Sequence, residues 1–239
     1  MHWDFALILT FLTLVVPVLG WRRVRQLAQA PDTTKRERIG LYLSTIAAQW
    51  LAVAFILWRA KVHGIPAVQL GIAIPNGALV AATSILLAAL FLVNQLLSLR
   101  QLAADPVGIK RNILARIALL IFPRDLTERL IFTGMVVTVA ICEELIYRGF
   151  VQRIFENWSG VFYGAVGSAA LFSLGHIYQG RHGAVSTFVV GLIFSASLVW
   201  TGSLLPSFVA HFVADITVGL LAHSRLSQTM AHASDPGLP

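Results

Sequence analysis

Long apolar stretches separated by short polar runs dominate the chain. A helix crossing a bilayer takes roughly 18 or more nearly uncharged residues, and seven stretches meet or approach that length: Asp4–Gly20, Ile39–Trp58, Gly77–Leu97, Leu130–Arg148, Val161–Gly175, Gly183–Trp200 and Leu204–Ala222. A further apolar run, Leu114–Phe122, is short and bounded by Arg116, Pro123 and Arg124. It predicts an interfacial or re-entrant segment, with an eighth crossing as the alternative. The pattern therefore predicts an all-α fold, a polytopic transmembrane helix bundle of about seven crossings.

Composition agrees with the pattern. Of 239 residues, 57% are hydrophobic and only 12% charged, against about a quarter charged in soluble domains, and mean hydropathy is +0.76. The net charge of +7 lies in short runs between apolar segments. Nucleic-acid binding would want it gathered on one soluble face, so no nucleic-acid partner is expected. The single cysteine, Cys142, allows no intrachain disulfide and no cysteine-cluster metal site. Nothing around it would stabilise a thiolate, so it reads as a small buried hydrophobe.

The distribution of cations predicts orientation. Arg22, Arg23, Arg25, Lys35, Arg36 and Arg38 follow the first crossing, and Arg100, Lys110, Arg111, Arg116, Arg124 and Arg129 follow the third. The second loop holds only Arg59 and Lys61, and the N-terminal tip has no Lys or Arg. The positive-inside rule places the two basic loops in the cytoplasm and the N-terminus outside. Because Asp4 stands where a leader would be basic and no small-x-small site precedes Trp21-Arg22-Arg23, the first stretch reads as a retained crossing. No internal repeat is visible. A change in composition near Leu126 suggests accessory helices over 1–125, whose membrane segments carry no buried carboxylates. A working core over 126–224 and a polar, disordered tail over 225–239 would follow.

The chemistry gathers in that core. Ionisable groups in a membrane helix cost roughly 3 kcal/mol or more each, and mark functional sites by default. Glu143-Glu144 sits in the fourth crossing with Arg148 behind it. Residues four apart share a helix face, so Glu144 can pair with Arg148. Glu143 points about 100° away, on a stripe with Tyr147, with no local cation; it is free to face a cavity as a general base. His176 ends a helix rich in small residues (Gly164, Gly167, Ala169, Ala170), which permit close helix approach. His211 and Asp215 form an i,i+4 pair within the last crossing, where a carboxylate can orient an imidazole. His2, His63, His182, His223 and His232 lie near segment ends or in tails and read as interfacial. Two chemistries fit: Glu143 activating water with His176 while His211 stabilises the oxyanion, or Zn²⁺ held by Glu143, His176 and His211. No His-Glu-x-x-His pattern appears, which lowers the zinc option.

Glu-Glu-x-x-x-Arg, Phe-x-x-x-His and His-x-x-x-Asp, each on a separate late helix, resemble the CAAX protease and bacteriocin-processing family of intramembrane endopeptidases. That family includes the type II CAAX prenyl endopeptidases and the lysostaphin-resistance-like proteins. The resemblance spans roughly Thr127–Leu221, with the Arg148-Gly149 step and Gly191-Leu192-Ile193 inside it. It implies Glu143 as the water-activating base, His176 as its partner on the water, and His211 with Asp215 at the oxyanion. Glu144 and Arg148 would support the site. Where relatives often carry asparagine, this chain has Asp215, which when ionised can only accept hydrogen bonds. The family has been described both as metal-dependent and as metal-free; the metal-free reading is preferred here.

The resemblance thus implies a multi-pass protein of the cell membrane that cleaves a membrane-associated peptide or protein within the lipid bilayer. Substrates would be a prenylated CAAX C-terminus or a bacteriocin-like peptide. A non-catalytic immunity or scaffold protein on the same fold is the alternative. A proton-relay transporter is disfavoured, because the polar groups lie in one half only. One tension accompanies this orientation. Glu143 falls mid-membrane or toward the outer half, whereas prenylated ends are presented from the cytoplasm.

Overall fold

The computed structural model describes residues 3–30, 32–104 and 113–234. Lys110 and Arg111 of the second basic loop, His2 and residues 235–239 lie outside these, as do the side chains of Arg116, His223 and His232. Among the described residues the fold is all-helical. The helices are α1 (Trp3–Gln29), α2 (Lys35–Val62), α3 (Gly77–Ala103), α4 (Ile113–Ile121), α5 (Leu126–Ser159), α6 (Val161–Gly175), α7 (Gly180–Thr201) and α8 (Leu205–Ser234). Six apolar helices are long enough to cross a membrane, and α6 is a shorter apolar one. The protein is an integral, multi-pass membrane protein.

Helix starts follow from local chemistry. Thr34 caps α2 through a capping box with Glu37. The side chain of Asn76 accepts from the Leu79 N–H at 3.1 Å to open α3, and Asp125 accepts from the Glu128 N–H at 3.0 Å to open α5. Several helices outrun their apolar stretches, since nothing polar in their flanks breaks a helix. The clearest case is the tail. The sequence suggested disorder from Arg225, but α8 continues to Ser234, because no Gly or Pro intervenes before Pro236-Gly237.

The described residues of both basic loops lie at one end of the bundle. There Lys35 pairs with Asp125 at 2.7 Å and Arg124 with Asp32 at 2.8 Å. Those cations hold both carboxyls below the usual carboxylate range. Arg38 forks onto Glu128 with bonds of 3.0 and 2.7 Å, and Tyr42 donates to the Ile121 carbonyl. Helix α4 has nine residues, about 13 Å, too short to cross. It packs against α8 and α1 at this end, where Ala115 meets Leu99 and Ala222. At the opposite end the Leu204 N–H donates to the Gly71 carbonyl, and Ile72 bridges to Ser203.

The first half is not free of buried carboxylates, as its composition had suggested. Asp4 has a side chain only 3% exposed and accepts from Arg59 Nε at 2.6 Å, with His63 Nε2 at 2.8 Å from the same oxygen. The ends of α1 and α2 meet there, so residues that read as flanking polar groups pair with one another. Nor is Leu126 a packing boundary. Phe5, Leu12, Val53 and Ile56 share one core cluster with Cys142, Tyr147, Phe150 and Phe172. The small residues of α6 do allow close approach: a side chain at Gly164 would come within 2.9 Å of the Glu156 backbone nitrogen in α5.

Candidate active site

The polar residues of the late helices converge inside the bundle. Gln49, whose amide reaches Glu143, is about 20 Å from either end of α2 at 1.5 Å rise per residue. Glu143 and Glu144 are the last residues of α5 before a wide, π-helical turn, Leu145–Val151. Such turns concentrate at functional sites. The Ser168 hydroxyl braces this one by donating to the Tyr147 carbonyl at 2.7 Å.

Arg148 is fully buried, and its Nη1 donates to Glu144 Oε1 at 2.9 Å, the pair its spacing predicts. Its guanidinium stacks over Phe172 at 4.2 Å and faces Phe194 at 5.3 Å; such cation–π contacts gain strength when desolvated. Gly191 makes room for it, since a Cβ there would sit 3.2 Å from Arg148 Nη2 and 3.0 Å from Ala169.

His211 is held from another helix. Its Nδ1 lies 3.1 Å from the same Glu144 oxygen that Arg148 uses. An ionised carboxylate only accepts, so Nδ1 carries a proton, while Nε2 faces the remaining carboxylates. From Nε2, Asp215 Oδ2 is 3.6 Å away and Glu143 Oε2 is 4.0 Å away. The tighter hold on the imidazole thus comes from Glu144 across helices, and the i,i+4 partner Asp215 is farther and 45% exposed.

Glu143 has a 15% exposed side chain. Its Oε1 accepts from Gln49 Nε2 at 3.1 Å, and its Oε2 is buried with no hydrogen-bond donor among the described residues. Gln49 went unnoticed in the sequence. The available signal was an amide midway along an apolar helix, which needs a partner from elsewhere.

His176 caps the end of α6, and its Nδ1 lies 2.9 Å from the Phe172 carbonyl, to which it donates. Among the described residues no hydrogen bond or ion pair joins it to Glu143. The Phe172 ring touches both imidazoles, with centroids 4.6 Å from His176 and 6.2 Å from His211. Cys142 is buried, within the apolar core cluster.

Zinc was the competing reading, with Glu143, His176 and His211 as ligands. No three His, Cys, Asp or Glu side chains among the described residues are arranged to hold a metal ion. No step below passes through a metal.

Residues 125–217 match the family model for type II CAAX prenyl endopeptidase, Rce1-like. This stretch is similar to that family, in line with the resemblance of the three motifs, and the similarity supports a CAAX-type intramembrane endopeptidase in general. No curated protein and no solved structure matches the chain. The matched stretch opens at the cap of α5 and contains the whole cluster except Gln49.

Proposed function

We propose that the protein hydrolyses a peptide bond in a membrane-associated substrate, with Glu143 as the base. One observation carries this reading. The free oxygen of Glu143 faces His211 Nε2 across 4.0 Å, too far for a direct hydrogen bond and close enough for one water molecule to bond to both. In the proposed step, Glu143 Oε2 takes a proton from that water as its oxygen bonds to the scissile carbonyl carbon. The carbonyl π pair moves to oxygen, where His211 as the imidazolium, its Nδ1–H held by Glu144, donates from Nε2–H to the developing charge, and His176 Nε2 assists at the water. When the tetrahedral adduct collapses, the C–N bond breaks and the proton on Glu143 passes to the leaving amine nitrogen. Asp215 accepts at the mouth and helps to fix His211, while Arg148 balances Glu144.

A prenylated CAAX C-terminus is the favoured substrate class. Asp215 is 45% exposed, against 15% for Glu143 and 10% for His211, and lies one turn from His211 toward the end carrying the basic loops. That end faces the cytoplasm by the positive-inside rule, where prenylated ends are presented, so a mouth at Asp215 relieves the tension with Glu143 at mid-depth. The test is cleavage of an internally quenched, farnesylated CAAX peptide by the purified chain in micelles. A matched unprenylated apolar peptide runs alongside. Wild type should cleave, and Glu143→Gln should lower kcat by about 10²–10⁴-fold. Equal cleavage by both, or none by either, would sink the protease reading and favour a non-catalytic immunity or scaffold protein. Preference for the unprenylated peptide would redirect the substrate toward bacteriocin-like sequences. Loss of activity on adding chelator would reinstate zinc.

A further inference from the structure

The family match begins at Asp125, yet one contact to Glu143 comes from α2, far upstream of it. The Gln49 amide sits half-buried at mid-depth of an apolar helix. A lone amide in hydrocarbon is costly without a hydrogen-bond partner. Its Nε2 donates to Glu143 Oε1 at 3.1 Å, and an ionised carboxylate requires the NH₂ side of the amide to face it. The next residue ties the same helices, since Trp50 Nε1 donates to Thr138 Oγ1 at 3.3 Å.

We infer that Gln49 is a positioning residue for Glu143, holding Oε1 so that Oε2 is the oxygen turned to His211 and the one that takes up the proton. This inference rests on the reading of Glu143 as base. The chemistry of the residue suits the task. A lysine or arginine there would neutralise the carboxylate and blunt it as a base. An amide supplies one fixed donor, carries no charge and does not titrate. Glu144 Oε1 is claimed by Arg148 and His211; of the two carboxylate oxygens in the cluster that are buried without a donor among the described residues, Glu144 Oε2 and Glu143 Oε2, the latter lies 4.0 Å from His211 Nε2. The site is thus completed by a helix outside the matched stretch.

The experiment uses the full chain in micelles and the farnesylated quenched peptide. Gln49→Leu fills the same space on a helix that already tolerates apolar groups, and its melting temperature should stay near wild type. Its kcat should fall about 10- to 100-fold with KM within about twofold, because misplacing a catalytic group by an ångström has that scale of effect. In the Glu143→Gln background the same change should cause almost no further loss, whereas a merely structural role would lower activity by the same factor in both backgrounds. Gln49→Glu supplies a donor only when one carboxyl of the new pair is protonated, so its deficit should shrink as pH falls. If wild type cleaves, Glu143→Gln does not, and Gln49→Leu matches wild type in kcat, the positioning role is overturned and the protease reading stands. If Glu143→Gln cleaves as well as wild type, both fall together.

Discussion

The acids of two buried ion pairs sit in the same helix, α5, and the pairs are built in opposite ways. Near the basic end, Glu128 is saturated. Arg38 reaches it through Nε and Nη2, and the Arg124 backbone N–H adds a third bond at 2.8 Å. The remaining Arg38 nitrogen finds the Thr33 carbonyl. At mid-depth the Glu144–Arg148 pair makes a single direct bond, and Glu144 Oε2, Arg148 Nε, Arg148 Nη2 and Glu143 Oε2 have no hydrogen-bond partner among the described residues. A pair that only holds helices together spends its whole bonding capacity locally, whereas a cluster with capacity in reserve can engage water or substrate. Burial and charge are alike in the two places, and what separates them is how many donors and acceptors remain unused.

Breaking the saturated pair gives the largest expected effect on folding. Arg38→Met strands Glu128 at a buried position and should lower stability by about 3–5 kcal/mol, read as unfolding in mixed micelles. Cleavage per folded molecule should stay at the wild-type level. Adding Glu128→Leu should recover most of the loss, since the uncompensated charge is gone. Should Arg38→Met abolish cleavage by folded protein, the division between structural and working pairs is wrong.

The mid-depth cluster predicts the reverse balance. Phe172→Leu removes the ring that covers Arg148 and touches both His176 and His211. Stability should drop by about 0.5–2 kcal/mol, the range for a cation–π contact. Cleavage should suffer more, with kcat down about tenfold or more as both imidazoles lose their support. A variant that loses stability and keeps full kcat would place Phe172 with the packing alone.

The smallest effect belongs to the exposed pair Lys35–Asp125, whose side chains are each about half exposed. Lys35 holds the Asp125 carboxyl below its ordinary value, so the pair's contribution is present at neutral pH, above the unfolded value of about 3.9. It fades as pH falls through the lowered folded value. Asp125→Asn keeps a capping oxygen but cannot titrate. The difference in melting temperature between it and wild type should therefore shrink on acidification; a difference that grows would contradict the sign.

Much of this comparison could be read along the chain, and the failures share one cause. Glu144 with Arg148 was legible because helix geometry fixes which residues four apart face each other. The crossings were legible from apolar runs alone. Gln49 with Glu143, Asp4 with Arg59 and His63, and His211 with Glu144 were not, because each joins helices distant in sequence and no spacing rule reports which faces meet. Asp4 misled for a further reason: a polar residue at the start of an apolar run looks the same whether it meets solvent or another helix end. The tail misled because polarity was taken for disorder, when the helix breakers come only after Ser234.

The wide turn at Leu145–Val151 has a bearing on how this chain can be edited. Such a turn behaves as an insertion absorbed within a helix: it takes up one residue more than an ordinary turn, while the segments on either side keep their own phase. Deleting one residue from it would let the helix close to regular winding with both flanks still in phase, so the far end of α5 would keep its register against α6. Deleting one residue elsewhere in α5 would instead rotate everything beyond it by about 100°. The loss of one amino acid should therefore disturb the packing of α5 against α6 less in this turn than anywhere else along the helix.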